Sequence, residues 1–174
     1  MEHTKVEGNG LEGGLAIFWN PHSLLLLNAE ASRSFISLEM QILGEAGTYL
    51  FTNVYSPQRL EDKLQLLDNL SKLQQRHSNA KAIYGGDFNM ITSLGEKKGG
   101  LRTLNRDVEA FISIIRTANL VDIQPKNGIF TWNNKRGWDR LIASRLDRFL
   151  ISDTILLEGV MVESDISASR GSDH

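Results

Sequence analysis

Apolar positions along the chain alternate between two periods. Leu60, Leu64, Leu67, Leu70 and Leu73 recur at three- and four-residue spacing, which places them on one face of a helix within residues 58–77. Val108, Phe111, Ile112 and Ile115 define a second amphipathic helix, with Thr103 or Asn105 as its N-cap. Between residues 36 and 42, Ile36, Leu38, Met40 and Ile42 alternate with Ser37, Glu39 and Gln41, the period of a half-buried strand. A turn over residues 44–47 leads into a partner strand, residues 48–55, that stops at Ser56-Pro57. Residues 15–19 read as a short buried strand that ends at Asn20-Pro21, where proline cannot continue a ladder. Residues 82–84 read as another strand, giving way to the loop Gly85-Gly86-Asp87-Phe88-Asn89. Three further strands are expected at residues 129–132, 145–151 and 159–166. Consecutive strands first and helices inserted later fit an α/β (α+β) sandwich of two sheet layers flanked by helices.

At 174 residues the chain has room for one compact domain and too little for two ordinary ones. Its 41% hydrophobic and 23% charged residues are a globular composition, so disorder is excluded as the default. The net charge of -2 is not the broad basic field of a phosphate-backbone binder, and any nucleic-acid contact must be local or metal-assisted. Without cysteine there is neither a disulfide partner nor a thiolate metal site, which leaves oxygen and imidazole ligands for an ion. Residues 1–14 lack the basic and apolar regions of a signal peptide, and no stretch approaches membrane-spanning length. A soluble protein with no membrane partner, nuclear or cytoplasmic, is expected; oligomeric state is not legible.

Four polar segments stand at strand ends: Asn53-Val54-Tyr55-Ser56-Pro57, Gly86-Asp87-Phe88-Asn89, the stretch 144–152 beginning Ser144-Arg145-Leu146-Asp147, and Gly171-Ser172-Asp173-His174. In order and wording they resemble the endonuclease/exonuclease/phosphatase superfamily, the deoxyribonuclease I-like proteins. The runs Gly14-Leu15-Ala16-Ile17-Phe18-Trp19, Glu96-Lys97-Lys98-Gly99-Gly100, Phe130-Thr131-Trp132-Asn133 and Arg145-Leu146-Asp147-Arg148-Phe149-Leu150 look like the endonuclease domains of plant LINE-type non-LTR retrotransposons. The resemblance implies a four-layer α/β/β/α sandwich with its active site at one edge of two packed sheets. It also implies magnesium-dependent phosphodiester hydrolysis, with manganese as a possible substitute, and DNA as partner.

Phosphodiester cleavage needs a positioned water, charge stabilisation on phosphate oxygens and help for the leaving alkoxide. By the resemblance, Asp87 orients or deprotonates the water and Asn89 hydrogen-bonds the water or a phosphate oxygen. The local alternative for this pair is an Asx turn. Tyr55 would donate its hydroxyl to the phosphate, His174 would face it as an imidazolium oriented by Asp147, and Asp173 would hold the metal. Ser172, Asp173 and His174 are consecutive and cannot converge as a serine-hydrolase triad. Asn89, Arg102, Trp132 and Arg145 are the expected substrate contacts. Two basic loops, one with Lys97, Lys98, Arg102 and Arg106, the other with Lys135, Arg136, Arg140, Arg145 and Arg148, would flank a groove beside Trp132 and Trp138.

The family pattern should open with an Asn-bearing strand and a metal-binding glutamate, and Glu12 falls too late to match that glutamate. Residues 1–174 are therefore expected to be one partial domain, incomplete at both ends, that cleaves weakly by itself because magnesium is usually held by one or two carboxylates. A non-catalytic remnant or interaction module and a phosphatase for small phosphorylated molecules are the other readings.

Overall fold

The computed structural model describes residues 1–7, 14–101, 103–137 and 139–167. The chain opens with β1 (Glu2–Val6) and β2 (Leu15–Trp19), an antiparallel ribbon. Next come β3 (Leu24–Ala31), β4 (Phe35–Ile42) and β5 (Tyr49–Tyr55), then helix α1 (Leu60–Arg76) and β6 (Lys81–Asp87). A loop with a 3-10 turn at Leu94–Glu96 leads to β7 (Lys97–Lys98), α2 (Arg106–Thr117) and β8 (Leu120–Ile123). The last elements are β9 (Trp132–Asn133), β10 (Ala143–Ser144), β11 (Asp147–Ser152) and the short helix α3 (Asp153–Leu157).

Six strands form the central sheet in the order β3-β4-β5-β6-β11-β8, and β7-β10-β9 make a small separate sheet. Only β5 and β6 pair in parallel within the central sheet, because α1 carries the chain back to the starting edge between them. The other neighbours run antiparallel.

Of the expected leucine stripe of α1, Leu67, Leu70 and Leu73 are buried, Leu64 is half-buried, Leu60 is exposed at the first turn, and Leu66 joins the buried face in its place. Leu66, Leu67, Leu70 and Leu73 meet Phe35, Leu50, Val54, Tyr84 and Leu150 of the sheet, with Phe111 of α2 in the same core. The opposite face of the sheet is covered at one end by the ribbon, where Leu15 and Trp19 pack on Ile36, Leu38 and Met40. At its other end Ile123, Ile151 and Ile155 form a smaller cluster. The layer order is thus helices, sheet, ribbon. Strand β4 is covered on both sides, so its polar residues also need partners. Ser37 and Thr52, both buried and paired across β4 and β5, hydrogen-bond each other through their hydroxyls at 2.9 Å.

Several elements differ from the sequence expectation. Residues 159–166 form no strand; Ser164 makes an isolated bridge with Pro125, Ser164 and Ile166 hydrogen-bond to Ile123, Lys126 and Asn127, Val162 packs on the smaller cluster, and Val160 and Met161 face solvent. The edge beside β11 is taken by β8, four residues long and directly behind α2, too short to show a period. The expected strand 129–132 shrinks to Trp132–Asn133, and the stretch 145–151 is strand only from Asp147. β1 and β3 were not anticipated, the latter because Leu24-Leu25-Leu26-Leu27 is a continuous run that does not alternate. No helix among the described residues is long and apolar enough to cross a membrane.

Leu38 has no exposed surface between sheet and ribbon, whereas Leu25 on β3 is 48% exposed. Leu38→Ala is expected to cost about 2–5 kcal/mol in urea unfolding through lost burial and a cavity. Leu25→Ala should cost clearly less, and equal losses would show that the ribbon does not seal this face.

Candidate active site

Strand register gathers the first part of the site. The parallel pairing of β5 with β6 sets Tyr55 beside Asp87, and the antiparallel pairing of β6 with β11 sets Asp147 beside the same Asp87. Neighbouring strands lie about 4.8 Å apart, so the row Tyr55, Asp87, Asp147 spans about 10 Å across one rim of the sheet. Tyr55 is 40% exposed, and both aspartates are half-buried.

The two glycines before Asp87 make this convergence possible. Gly86 has φ +130°, and a Cβ there would lie 2.1 Å from the Val54 carbonyl oxygen. A Cβ on Gly85 would lie 2.6 Å from the Phe149 ring. A larger residue at Gly86 would push β5 away from β6, whereas at Gly85 it would displace the exposed Phe149 ring.

Asn89 follows at φ +50°, a left-handed conformation that asparagine tolerates better than most residues. Its backbone N–H donates to Asp87 Oδ1 at 2.8 Å, and its Nδ2 donates to the Ser56 carbonyl at 2.7 Å and to Asp87 Oδ2 at 3.2 Å. Gln58 Nε2 donates to Asn89 Oδ1 at 2.9 Å. The local geometry is therefore an Asx turn, and that turn holds Asp87 and Asn89 side by side at the strand end.

The loop after Asp87 is fixed from behind at successive residues. Lys63 Nζ donates to the Asn89 carbonyl at 2.7 Å and pairs with Asp107 at 3.0 Å, both side chains being nearly buried. Arg148 Nη2 donates to the Met90 carbonyl at 3.0 Å, and the Thr92 N–H donates to Glu96 at 2.6 Å. On the other flank, Thr131 Oγ1 accepts from the backbone N–H groups of Leu146 and Asp147, each at 3.0 Å, and so fixes the start of β11.

Arg145 is not a substrate contact. It has no exposed surface and pairs with Glu96 at 2.9 Å and Asp122 at 2.6 Å, while the buried Arg148 binds the same Glu96 at 2.9 Å. The Arg148 guanidinium also sits 5.4 Å from the centre of the Phe111 ring. Two carboxylates far away in sequence compensate both charges, and neither arginine belongs to a basic groove. Burial by itself would raise the Glu96 carboxyl; hydrogen bonds and charge from Arg148, with the Thr92 amide and Arg145, outweigh it and hold Glu96 below the usual carboxylate range.

Of the other expected residues, Trp132 is half-buried in β9 opposite Ser144. Lys97 and Lys98 form β7, Arg106 opens α2, and Lys135, Arg136 and Arg140 are exposed in the loop after β9. Arg102, Trp138, Asp173, His174 and Glu12 lie outside the described residues. Among the described residues no group of three or more His, Asp or Glu side chains stands close enough to hold a metal ion.

Sequence reasoning missed Gln58, Lys63, Asp107 and Thr131. A signal existed for Lys63 and Asp107, charged residues at positions that continue the buried faces of α1 and α2. None existed for Thr131, whose role depends on a contact with β11.

Residues 3–174 match the Endonuclease/Exonuclease/phosphatase family. The chain belongs to that family. Among curated protein sequences none matches significantly. Among solved structures, the endonuclease domain of TRAS1, a telomere-specific non-LTR retrotransposon, is similar at a TM-score of 0.63 and 10% identity over 88% of this chain and 68% of its own. TDP2 of D. rerio, complexed with a single-strand DNA product, is similar at 0.52 and 11% identity over 86% of this chain and 62% of its own. The mannosyl-6-phosphatase of Bacteroides thetaiotaomicron VPI-5482 is similar at 0.55 and 15% identity, again over 86% and 62%. The family member described here therefore spans about two-thirds of the length of these structures. At such identities the likeness establishes the deoxyribonuclease I-like α/β fold with its central sheet.

The buried ion network generates a stability prediction. Arg145→Met leaves two carboxylates sharing one guanidinium and is expected to destabilise the chain by about 3–5 kcal/mol in denaturant unfolding. Because Glu96 titrates below its unfolded value near 4.5, its contribution is complete above that pH and is lost as pH falls through the lower folded value. Glu96→Gln should accordingly flatten the acid limb of stability against pH, and an unchanged limb would contradict the network's role.

Proposed function

We propose that this chain is the DNA endonuclease domain of a non-LTR retrotransposon-derived protein, cleaving phosphodiesters with magnesium, or manganese in its place, in the nucleus or cytoplasm. The observation that carries this reading is the register row of Tyr55, Asp87 and Asp147 with Asn89 locked against Asp87. In this row Asp87 orients or deprotonates the attacking water. Asn89, whose Nδ2 hydrogens go to Ser56 and Asp87, keeps a lone pair on Oδ1 to accept from the water and brings no negative charge to the anionic substrate. Tyr55, exposed at the rim, donates its hydroxyl to a phosphate oxygen. Asp147 would orient the imidazole of His174, which donates toward the leaving oxygen.

The donor chemistry suits a hard cation, since the chain has no cysteine and Asp87 and Asp147 are register neighbours. Asp173 is proposed as a further ligand, because the described residues alone do not make a complete cage. When bound, magnesium would supply positive charge against the phosphate oxygens. The likeness to a mannosyl-6-phosphatase makes a small phosphorylated substrate the rival reading.

With enzyme in excess over supercoiled plasmid and magnesium present, nicking is expected to disappear with EDTA and to fall about 10²–10⁴-fold in Asp87→Ala. Tyr55→Phe should cost about 10²-fold, the loss of one donor to the phosphate. Nicking that survives Asp87→Ala in a folded chain sinks the assignment, as does faster hydrolysis of a sugar phosphate than of DNA.

A further inference from the structure

A cavity of about 560 Å3 opens beside the row, with Tyr55 in its wall. The turn between β3 and β4 contributes Arg33, and the segment between β5 and α1 contributes Gln58 and Arg59. The cavity joins the candidate site twice: through Tyr55, and through Gln58, which also donates to Asn89. Both arginines are exposed, and among the described residues neither forms an ion pair. The carboxylate in the same wall is Asp62, on the exposed first turn of α1, so two cations face one anion.

This distribution contrasts with the arginines expected to meet substrate. Arg145 and Arg148 are neutralised in the interior, and Arg76 is paired with Glu30. Arg33 and Arg59, by contrast, share a cavity wall with Tyr55. A cavity of ligand-binding size next to the row, with guanidinium forks at its wall, fits a group covalently continuous with the reacting phosphate.

We propose that Arg33 and Arg59 hold a backbone phosphate flanking the scissile one, so that the site takes a polymeric phosphodiester strand. This rests on the catalytic reading above and adds the residues that hold the strand beside the reacting phosphate.

The test separates binding from turnover. In an Asp87→Asn background, a short labelled DNA duplex is titrated by fluorescence anisotropy at several salt concentrations. Arg33→Glu with Arg59→Glu is expected to weaken binding about tenfold or more and to lower the slope of log K against log salt by about 1–2. Arg116→Glu, the same charge change at the far end of α2, should leave both nearly unchanged, and the double alanine variant should move in the same direction by less. Equal behaviour of the double charge reversal and Arg116→Glu overturns the proposal, as does a parent chain that binds no duplex.

A second arm measures p-nitrophenyl phosphate hydrolysis with Asp87 intact. Unchanged hydrolysis in the double variant supports a flanking phosphate, whereas an equal loss would move the arginines to the reacting phosphate and overturn it. Arginine-dependent binding without nicking would leave this proposal standing and remove the catalytic one. Asp87-dependent nicking indifferent to both arginines would do the reverse.

Discussion

Arg145 and Arg148 share Glu96 and Asp122 in the interior, and through them β8, β11 and the loop after β6 become one unit. Burying four charges is costly, and such a cluster contributes little net stability compared with an apolar core. What it supplies is uniqueness, because the terminal nitrogens of each guanidinium find their carboxylates only when three separate segments stand in one arrangement, although both Nε atoms are buried without a partner. Side chains alternate along a strand, so with Arg148 turned inward toward Phe111, its neighbour Asp147 must face the other side. The hidden charge of Arg148 thereby decides on which face of β11 the Asp147 carboxylate stands.

The same logic governs Asp87 and Asn89. The turn reading and the proposed catalytic reading of this Asp87-Phe88-Asn89 stretch are compatible, because the turn itself fixes where both side chains stand. Asn89 Nδ2 spends its hydrogens on Ser56 and Asp87, and its carbonyl is tied to Lys63, so the left-handed conformation is held by side chain and backbone together. The pair is pre-organised at the end of β6, where substrate binding need not order it.

Much of the fold could be read from sequence because its cause is local. The α1 stripe and the β4 alternation are periodic, and periodicity survives in the chain whatever it packs against. β3 and β8 escaped because one is a leucine run and the other only four residues, so neighbours alone decide their conformation. The row of Tyr55 and Asp87 with Asp147 was approachable from motif wording, yet its register depends on two pairings and two glycines acting at a distance. Arg145 was misplaced for the same reason: an arginine in a basic stretch looks exposed until its compensating carboxylates, 49 and 23 residues away, are located.

That misplacement changes how the molecule's electrostatics should be counted. A net charge of -2 makes the chain as a whole mildly unattractive to a polyanion, and the aspartates of the row add local repulsion. Summing lysines and arginines by sequence stretch would place the compensating field along the segment that contains Arg145 and Arg148. Those charges are already cancelled by contact with Glu96 and Asp122 and project almost nothing toward the rim. On the proposed reading, attraction for phosphate must then come from cations that keep their solvent exposure and stand within a Debye length, about 8–10 Å, of the row. On the proposed reading, the relevant quantity is therefore the count of uncompensated guanidinium groups around Tyr55 more than the overall charge.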